Sequence, residues 1–369
     1  MKVKITHFAG IAIFMFFLTS SPAFAQLNTP RGSQKATVSQ TVGISEIEVS
    51  YSRPKVRERE IWGKLVPYGM NNLGFGTAKE SPWRAGADEN TTITLSHDAK
   101  IGGKAIKAGT YGLHMIIKEN DRATVIFSSN SNSWGSYFYE PSEDVLRVDV
   151  LTNEISHEEL LTYDFIQVRP DSAVLALQWG KKEIPFNISF DVTNIVLADI
   201  RKKMQDQPGF SRQTWEQAAT YSLNNGGDLN EALAWINNAI AGQFYSKQTF
   251  NNTQIKAAIL MKQGKKAEAL AAMDGVMPIA TVLEIHGYGR QLIAQGMKDK
   301  AMEVFEYNAK KHKGTWPVQY GLGRAYAAKG NFKKAIKHLE KALKNAPNPR
   351  SKANVQANID KLKKGEDIN

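Results

Sequence analysis

The sequence predicts two folded domains, an all-β antiparallel sandwich of jelly-roll-like type followed by an all-α repeat solenoid. Three observations carry this. Between residues 37 and 192 apolar side chains recur at every second position, the period of a strand with one buried face. Beyond 192 the period becomes helical, and self-similarity sets in near 34 residues. The length of 369 residues suits two cores better than one. The predicted division is 1–25 a signal peptide, 26–195 the sandwich and 196–369 the helical repeats.

The chain opens with Lys2 and Lys4, an apolar run from Phe8 to Leu18, then Ser20, Ser21, Pro22 and the small-residue site Ala23-Phe24-Ala25. That order is the pattern of a secretory signal peptide cleaved near Ala25, and it predicts a periplasmic or secreted mature chain from Gln26. The apolar run is too short for a span of about 18–20 residues, so no membrane span is expected. The absence of cysteine excludes disulfides, thiolate metal sites and a cysteine nucleophile. The net charge of +11 is unevenly placed: residues 26–198 carry 18 Lys/Arg against 21 Asp/Glu, residues 199–369 carry 27 against 15. Dispersed lysines on helices read first as solvated faces and only second as an anion-binding surface. Export argues against nucleic acid.

In the first domain, Ile47, Val49 and Tyr51 alternate with Glu46, Glu48 and Ser50. Ile93 and Leu95 follow, Tyr111, Leu113, Met115 and Ile117 share one phase, and Leu146, Val148 and Val150 flank Arg147 and Asp149. Leu175, Leu177 and Trp179, then Ile184, Phe186, Ile188, Phe190 and Val192, repeat the pattern. Gly102-Gly103, Ala108-Gly109, Asn120-Asp121 and Gly180-Lys181-Lys182 supply hairpin turn chemistry between the runs.

A series of ordered motifs runs through this domain. It includes Ser52-Arg53-Pro54, Ile61-Trp62-Gly63, Val66-Pro67-Tyr68-Gly69, Trp83-Arg84-Ala85-Gly86-Ala87-Asp88-Glu89, Ala108-Gly109-Thr110-Tyr111-Gly112-Leu113, Trp134-Gly135 and Asp144-Val145-Leu146-Arg147-Val148. Together they resemble a family of exported bacterial proteins known as a domain of unknown function, over residues 33–195, with residues 70–82 as an insertion. The resemblance implies architecture and export, and no chemistry.

The segment from Trp83 to Glu89 places an aromatic, a guanidinium and two carboxylates just before a strand. Arg84 there can clamp an anion, with Asp88 or Glu89 orienting it; an Arg84–Glu89 ion pair bracing the loop against Trp83 is the preferred reading. Arg53 is a weaker candidate of the same kind. His114 stands out of phase with Leu113 and Met115 and can face a pocket, although a hydrogen-bonded or solvated histidine is the commoner outcome. Trp134 and Tyr139 sit in an aromatic run that serves either as a stacking platform or, more commonly, as a cap on the sandwich core. No His-x-His, His-Glu-x-x-His or calcium-loop spacing occurs, nor a Gly-x-Ser-x-Gly elbow or phosphate loop, so neither metal nor cofactor is expected.

In the second domain the clearest unit carries Leu322, Gly323, Tyr326, Gly330, Ala335, Leu339, Ala342 and Pro347. Gly289, Leu292, Gly296, Ala301 and Phe305 repeat it 34 residues earlier, and weaker units centre on Gly264 and Gly227. These spacings resemble the tetratricopeptide repeat, with Gln319 departing from the usual bulky residue. The resemblance implies a concave groove for a protein or peptide, to which Tyr288, Arg290, Tyr320 and Arg324 are the candidate contributors; a plain spacer without a groove ligand is the alternative. The expected function is that of a non-enzymatic binding or scaffold protein, with a partner on the repeats and either a ligand, glycan or anionic, or a second partner on the sandwich. A carbohydrate-binding or hydrolytic enzyme with its site on the sandwich is the second reading.

Overall fold

The computed structural model describes residues 29–369, so the predicted signal peptide falls outside the described residues. Two compact units are present. One holds the residues up to Gln40, Glu46–Val168 and Ala173–Ile188; the other holds Ser189–Asn369 with the turns Thr41–Ser45 and Arg169–Ser172.

The strands are β1 (Gln34–Val42), β2 (Ser45–Arg53), β3 (Thr92–Leu95), β4 (Ala99–Ile101), β5 (Lys104–Ile106), β6 (Gly109–Ile117), β7 (Arg122–Ser128), β8 (Asp144–Leu151), β9 (Asn153–Val168) and β10 (Ser172–Ser189). They form a six-stranded sheet in the order β1-β2-β3-β6-β7-β8 and a four-stranded sheet in the order β5-β4-β10-β9. Strand β2 shows the expected alternation, burying Ile47, Val49 and Tyr51 and exposing Glu46 and Glu48. The two sheets meet through side chains from both, such as Phe127 edge-on to Phe186 with centroids 6.0 Å apart. The Tyr163 backbone N–H also donates to the Tyr51 hydroxyl at 3.1 Å.

Central strand β6 is buried on both faces from Tyr111 to Met115. The face bearing Gly112 and His114 is covered by the β7–β8 connection, where the Asn130 carbonyl lies against Gly112 and Ser136 meets His114. The long connection 54–91 joins the strand at its edge, Trp83 and Met115 exchanging backbone hydrogen bonds of 2.9 and 2.8 Å. Two sequence expectations need correction here. Gly180-Lys181-Lys182 is not a turn, because β10 runs through it for 18 residues. Gly180, at φ +60°, instead sits where the β9–β10 register shifts. A bulge and a tight turn ask for the same left-handed glycine, so composition does not separate them. Val192 is no strand residue either: it opens a helix capped by the Asp191 side chain.

The helices are α1 (Val192–Lys203), α2 (Arg212–Asn225), α3 (Leu229–Ile240), α4 (Phe250–Lys262), α5 (Lys266–Val276), α6 (Val282–Ala294), α7 (Lys298–Lys311), α8 (Trp316–Ala328), α9 (Phe332–Lys344) and α10 (Pro349–Lys363). From α2 to α9 they pair as four helical hairpins. Side-chain caps fix several starts, with full capping boxes at Thr249 and Thr281. Left-handed glycines close the hairpins at 226, 264, 296 and 330. The first is Gly226, one residue before the expected Gly227, whose own place is packed against Ser222. The exposed face of α9 carries Lys333, Lys334, Lys337, Lys341 and Lys344, while Ala335, Leu339 and Ala342 are buried. Those lysines are a solvated face. Among the described residues, no helix is long and apolar enough to cross a membrane.

Stacking of the later hairpins turns on Phe305, which is fully buried in α7. Its ring lies against Gly289 of α6 and Gly321 of α8. A Cβ at Gly289 would stand 2.5 Å from the ring, whereas a Cβ at Gly287, on the same helix, would meet nothing within 4 Å. We therefore expect opposite signs from neighbouring substitutions. Gly289→Ala should lower unfolding stability by about 1–3 kcal/mol through overpacking. Gly287→Ala should raise it by about 0.5–1 kcal/mol by removing backbone freedom from the unfolded chain. Urea unfolding of the two variants checks both.

Candidate functional sites

In the sheet domain, the connection 54–91 builds a cavity of about 390 Å³ lined by Trp83, Trp179, Arg57, Arg59, Arg84 and Asp88, among others. Trp83 stacks on Trp179 of β10 at 6.0 Å and 14°. Trp62 stands edge-on to both, at 5.7 and 6.1 Å. Trp179 is 2% exposed, and its indole N–H is buried without a hydrogen-bond partner. The connection bends sharply: Arg57, Glu58, Ala85 and Asp88 take left-handed φ values of 50°, 58°, 51° and 60°.

Arg84 donates to the Asp88 carbonyl at 2.7 Å and places its guanidinium 5.0 Å from the centre of the Tyr137 ring. Gly135 lies directly against that guanidinium, where any side chain would collide. The expected Arg84–Glu89 ion pair does not form. Glu89 pairs with Arg31 at 2.5 Å, and that hydrogen bond holds its carboxyl below the usual range. The reason is the left-handed turn at Asp88, which spends Arg84 on a carbonyl and leaves Glu89 to another cation. Arg53 is likewise committed, donating to the Leu161 carbonyl at 2.9 Å and to the Thr162 hydroxyl at 2.6 Å.

The six sandwich candidates do not converge. Arg84 and Asp88 share the cavity lining. His114 is buried, with Nδ1 2.9 Å from the Ser136 hydroxyl and its ring 5.7 Å from that of Tyr139. Tyr139 donates to Asp144 and accepts from Arg147, each at 2.7 Å, and burial pushes its phenol upward. Trp134, 52% exposed, lies apart from these contacts. Tyr139 thus belongs to the interior beneath its loop, while Trp134 faces water. His114 and Ser136 form a buried pair, and among the described residues no carboxylate pairs with the imidazole as in a nucleophilic triad. Sequence reasoning missed Trp179, Arg57 and Arg59 as cavity residues. The cluster Arg53, Lys55, Arg57 and Arg59 was the available signal; Trp179 carried none, because it reads as a strand core residue.

In the helical domain, a second cavity of about 360 Å³ opens between α4, α5 and α6. It is lined by Met261, Met273, Met297, Ala258, Gln291 and Tyr288, among others. Tyr288 is 5% exposed, its hydroxyl has no partner, and burial pushes its pKa up to about 12. A third cavity, about 570 Å³, is lined by Arg290 of α6, Arg324 of α8 and the final residues Asp367 and Asn369. Arg324 donates to the Ile368 carbonyl at 3.0 Å and to the Tyr320 hydroxyl at 3.3 Å. Tyr320 also accepts from Asn358 at 2.7 Å and stacks on His286 at 5.8 Å. The four groove candidates therefore divide: Arg290 and Arg324 share one cavity, Tyr288 lines another, and Tyr320 is tied into the packing between helices.

Comparison with known proteins bears on both domains. Residues 33–188 match a family model described as a protein of unknown function, DUF2911, and residues 316–349 match a tetratricopeptide repeat model. The chain carries that domain followed by a tetratricopeptide repeat. No curated protein matches the chain. Among solved structures it is similar to YrrB, described as a TPR protein with an unusual peptide-binding site, at 18% identity over 45% of this chain and 84% of that one, with a TM-score of 0.30. The C-terminal part of a TPR repeat-containing protein from Cytophaga hutchinsonii matches at 17% identity over 47% and 67%, with a TM-score of 0.35. MamA matches at 19% identity over 42% and 88%, with a TM-score of 0.31.

The buried His114 generates a pH dependence. Burial first, and the Arg84 charge second, lower its pKa from 6.5 to about 4. The unfolded chain therefore binds this proton before the native state does, and stability rises with pH across that window. We expect the stability present above about pH 6.5 to fall as pH drops toward 4, by up to about 3 kcal/mol from this group. Urea midpoints measured from pH 7.5 to 4.5 test it, with His114→Gln expected to reduce the slope and His286, whose pKa burial also lowers to about 4, to keep part of it.

Proposed function

We propose that this chain is an exported, non-enzymatic scaffold whose helical repeats hold a protein partner through an extended segment, while the sheet domain recognises a ligand of its own. One observation carries the first part: the cavity between α4, α5 and α6 combines three methionines with an unpartnered Tyr288 hydroxyl. Methionine accommodates apolar side chains of varied shape, and a buried hydroxyl without a partner costs stability that a peptide carbonyl restores. Such a site takes an apolar anchor residue with a backbone polar group beside it. The tetratricopeptide match and the peptide-binding site named for YrrB support a peptide as the occupant. Export rests on the charged, apolar and small-residue order of residues 1–25.

The hydrolase reading has less support. Glycoside hydrolysis commonly uses two carboxylates flanking the bond, and among the described residues lining the sheet cavity the acidic side chain is Asp88.

Tyr288→Phe separates stability from function. We expect it to raise unfolding stability by about 1 kcal/mol, by removing an unsatisfied buried hydroxyl, while weakening partner binding several-fold. Ala258→Phe, which fills the cavity, should abolish capture, whereas Lys337→Glu on the solvated face of α9 should leave it unchanged. Photocrosslinking from Gln295 in the intact mature chain, followed by affinity measurement on the captured segment, reads both. Crosslinking as strong from Lys337 as from Gln295 would sink the reading. Export is checked separately: the N-terminus of protein recovered from the producing cells is expected to be Gln26.

A further inference from the structure

We infer that the sheet-domain cavity binds an acidic sugar, a ring bearing a carboxylate or sulfate; this rests on the reading that the sheet domain recognises a ligand of its own. The charge of the lining selects an anion. Lys55, Arg57, Arg59 and Arg84 all line it, against the single carboxylate of Asp88. Their hydrogen-bonding capacity is only partly used. Arg59 donates to the Val56 and Lys55 carbonyls and Arg84 to the Asp88 carbonyl, while Arg57 forms no ion pair among the described residues. Guanidinium groups match planar and tetrahedral oxyanions, and they are donors only.

A second, independent observation points the same way. Trp179 lines the cavity, is 2% exposed, and keeps its indole N–H without an acceptor. An indole N–H can only donate, so a ligand oxygen satisfies it. The same lining explains why the ligand carries a ring. Trp83 is partly exposed, and its contacts with Trp179 and Trp62 hold it as a fixed flat surface, the kind on which the apolar face of a sugar stacks. A bare anion has no use for that surface, and a neutral sugar has none for four cations. The backbone is also strained at this place: of the five non-glycine residues with left-handed φ among the described residues, Arg57, Glu58, Ala85 and Asp88 belong to the connection that forms the cavity. Strain of this kind gathers at ligand clamps.

The test titrates the intact mature chain with digalacturonate, a sulfated disaccharide, the neutral disaccharide of the same linkage and inorganic sulfate, following tryptophan fluorescence and heat. The acidic disaccharide of one of the two kinds is expected to bind at least tenfold more tightly than the neutral one and than sulfate, with affinity falling as salt rises. Arg57→Asn, which keeps a residue tolerant of the left-handed backbone, should lower that affinity at least fivefold without changing the melting temperature. Trp179→Phe should also lower it and remove most of the fluorescence change. Equal binding of neutral and acidic sugars overturns the anionic class yet leaves the sheet domain a ligand-binding one. Sulfate binding as tightly as the acidic sugars overturns the ring. Unchanged affinity in Arg57→Asn overturns the cavity as the site, and binding of no probe overturns both the inference and the reading beneath it.

Discussion

A strand or helix with one apolar face is unstable until something covers that face, and this chain meets the constraint differently in its two domains. In the sheet domain two antiparallel layers cover each other, and the β7–β8 connection covers the outer face of β6 at Gly112 and His114. In the helical domain no hairpin buries its own stripe, so each depends on its neighbours. Phe305 shows how tight that dependence is: a full ring fits between α6 and α8 because Gly289 and Gly321 offer no side chain to meet it.

The sites arise where this covering is incomplete. Connection 54–91 lies along β6 by pairing Trp83 with Met115, and Trp83 then stacks on Trp179 of the facing sheet. To make that path the backbone turns through left-handed positions that ordinary side chains avoid, and the turns bring basic residues to the rim of a hollow. A connection serving only to link β2 to β3 could be far shorter. In the helical domain, Met261, Met273 and Met297 line a gap between hairpins that better-fitting side chains would have closed. Both hollows retain a buried polar hydrogen with no acceptor, on Trp179 in one and Tyr288 in the other.

Local periodicity made most elements legible. The alternation of Ile47, Val49 and Tyr51 and the recurrence of Gly264, Gly296 and Gly330 state directly which faces are buried and where helices turn. Legibility failed where one residue type serves two backbone purposes. Gly180 marks a bulge within β10 and not a turn, because both need the same φ. Gly226 and Gly227 stand side by side, and the repeat spacing alone did not say which takes the left-handed position.

The candidate sites were less legible than the fold, for a reason visible in Arg84. Its proximity to Glu89 in sequence favoured an ion pair, yet the turn at Asp88 directs Arg84 to a backbone carbonyl and Tyr137, and Glu89 to Arg31, 58 positions away. Periodicity and spacing determined the two-domain order, the strand and helix phases and the repeat length, since these depend on neighbours within a few residues. Only the tertiary structure decided which side chains meet: that Trp83 and Trp179 share a wall, that His114 is enclosed while Trp134 is not, and that Tyr288 lines a cavity apart from Arg290. Those outcomes depend on how distant segments cover each other's apolar faces, a long-range competition for burial that no local pattern encodes.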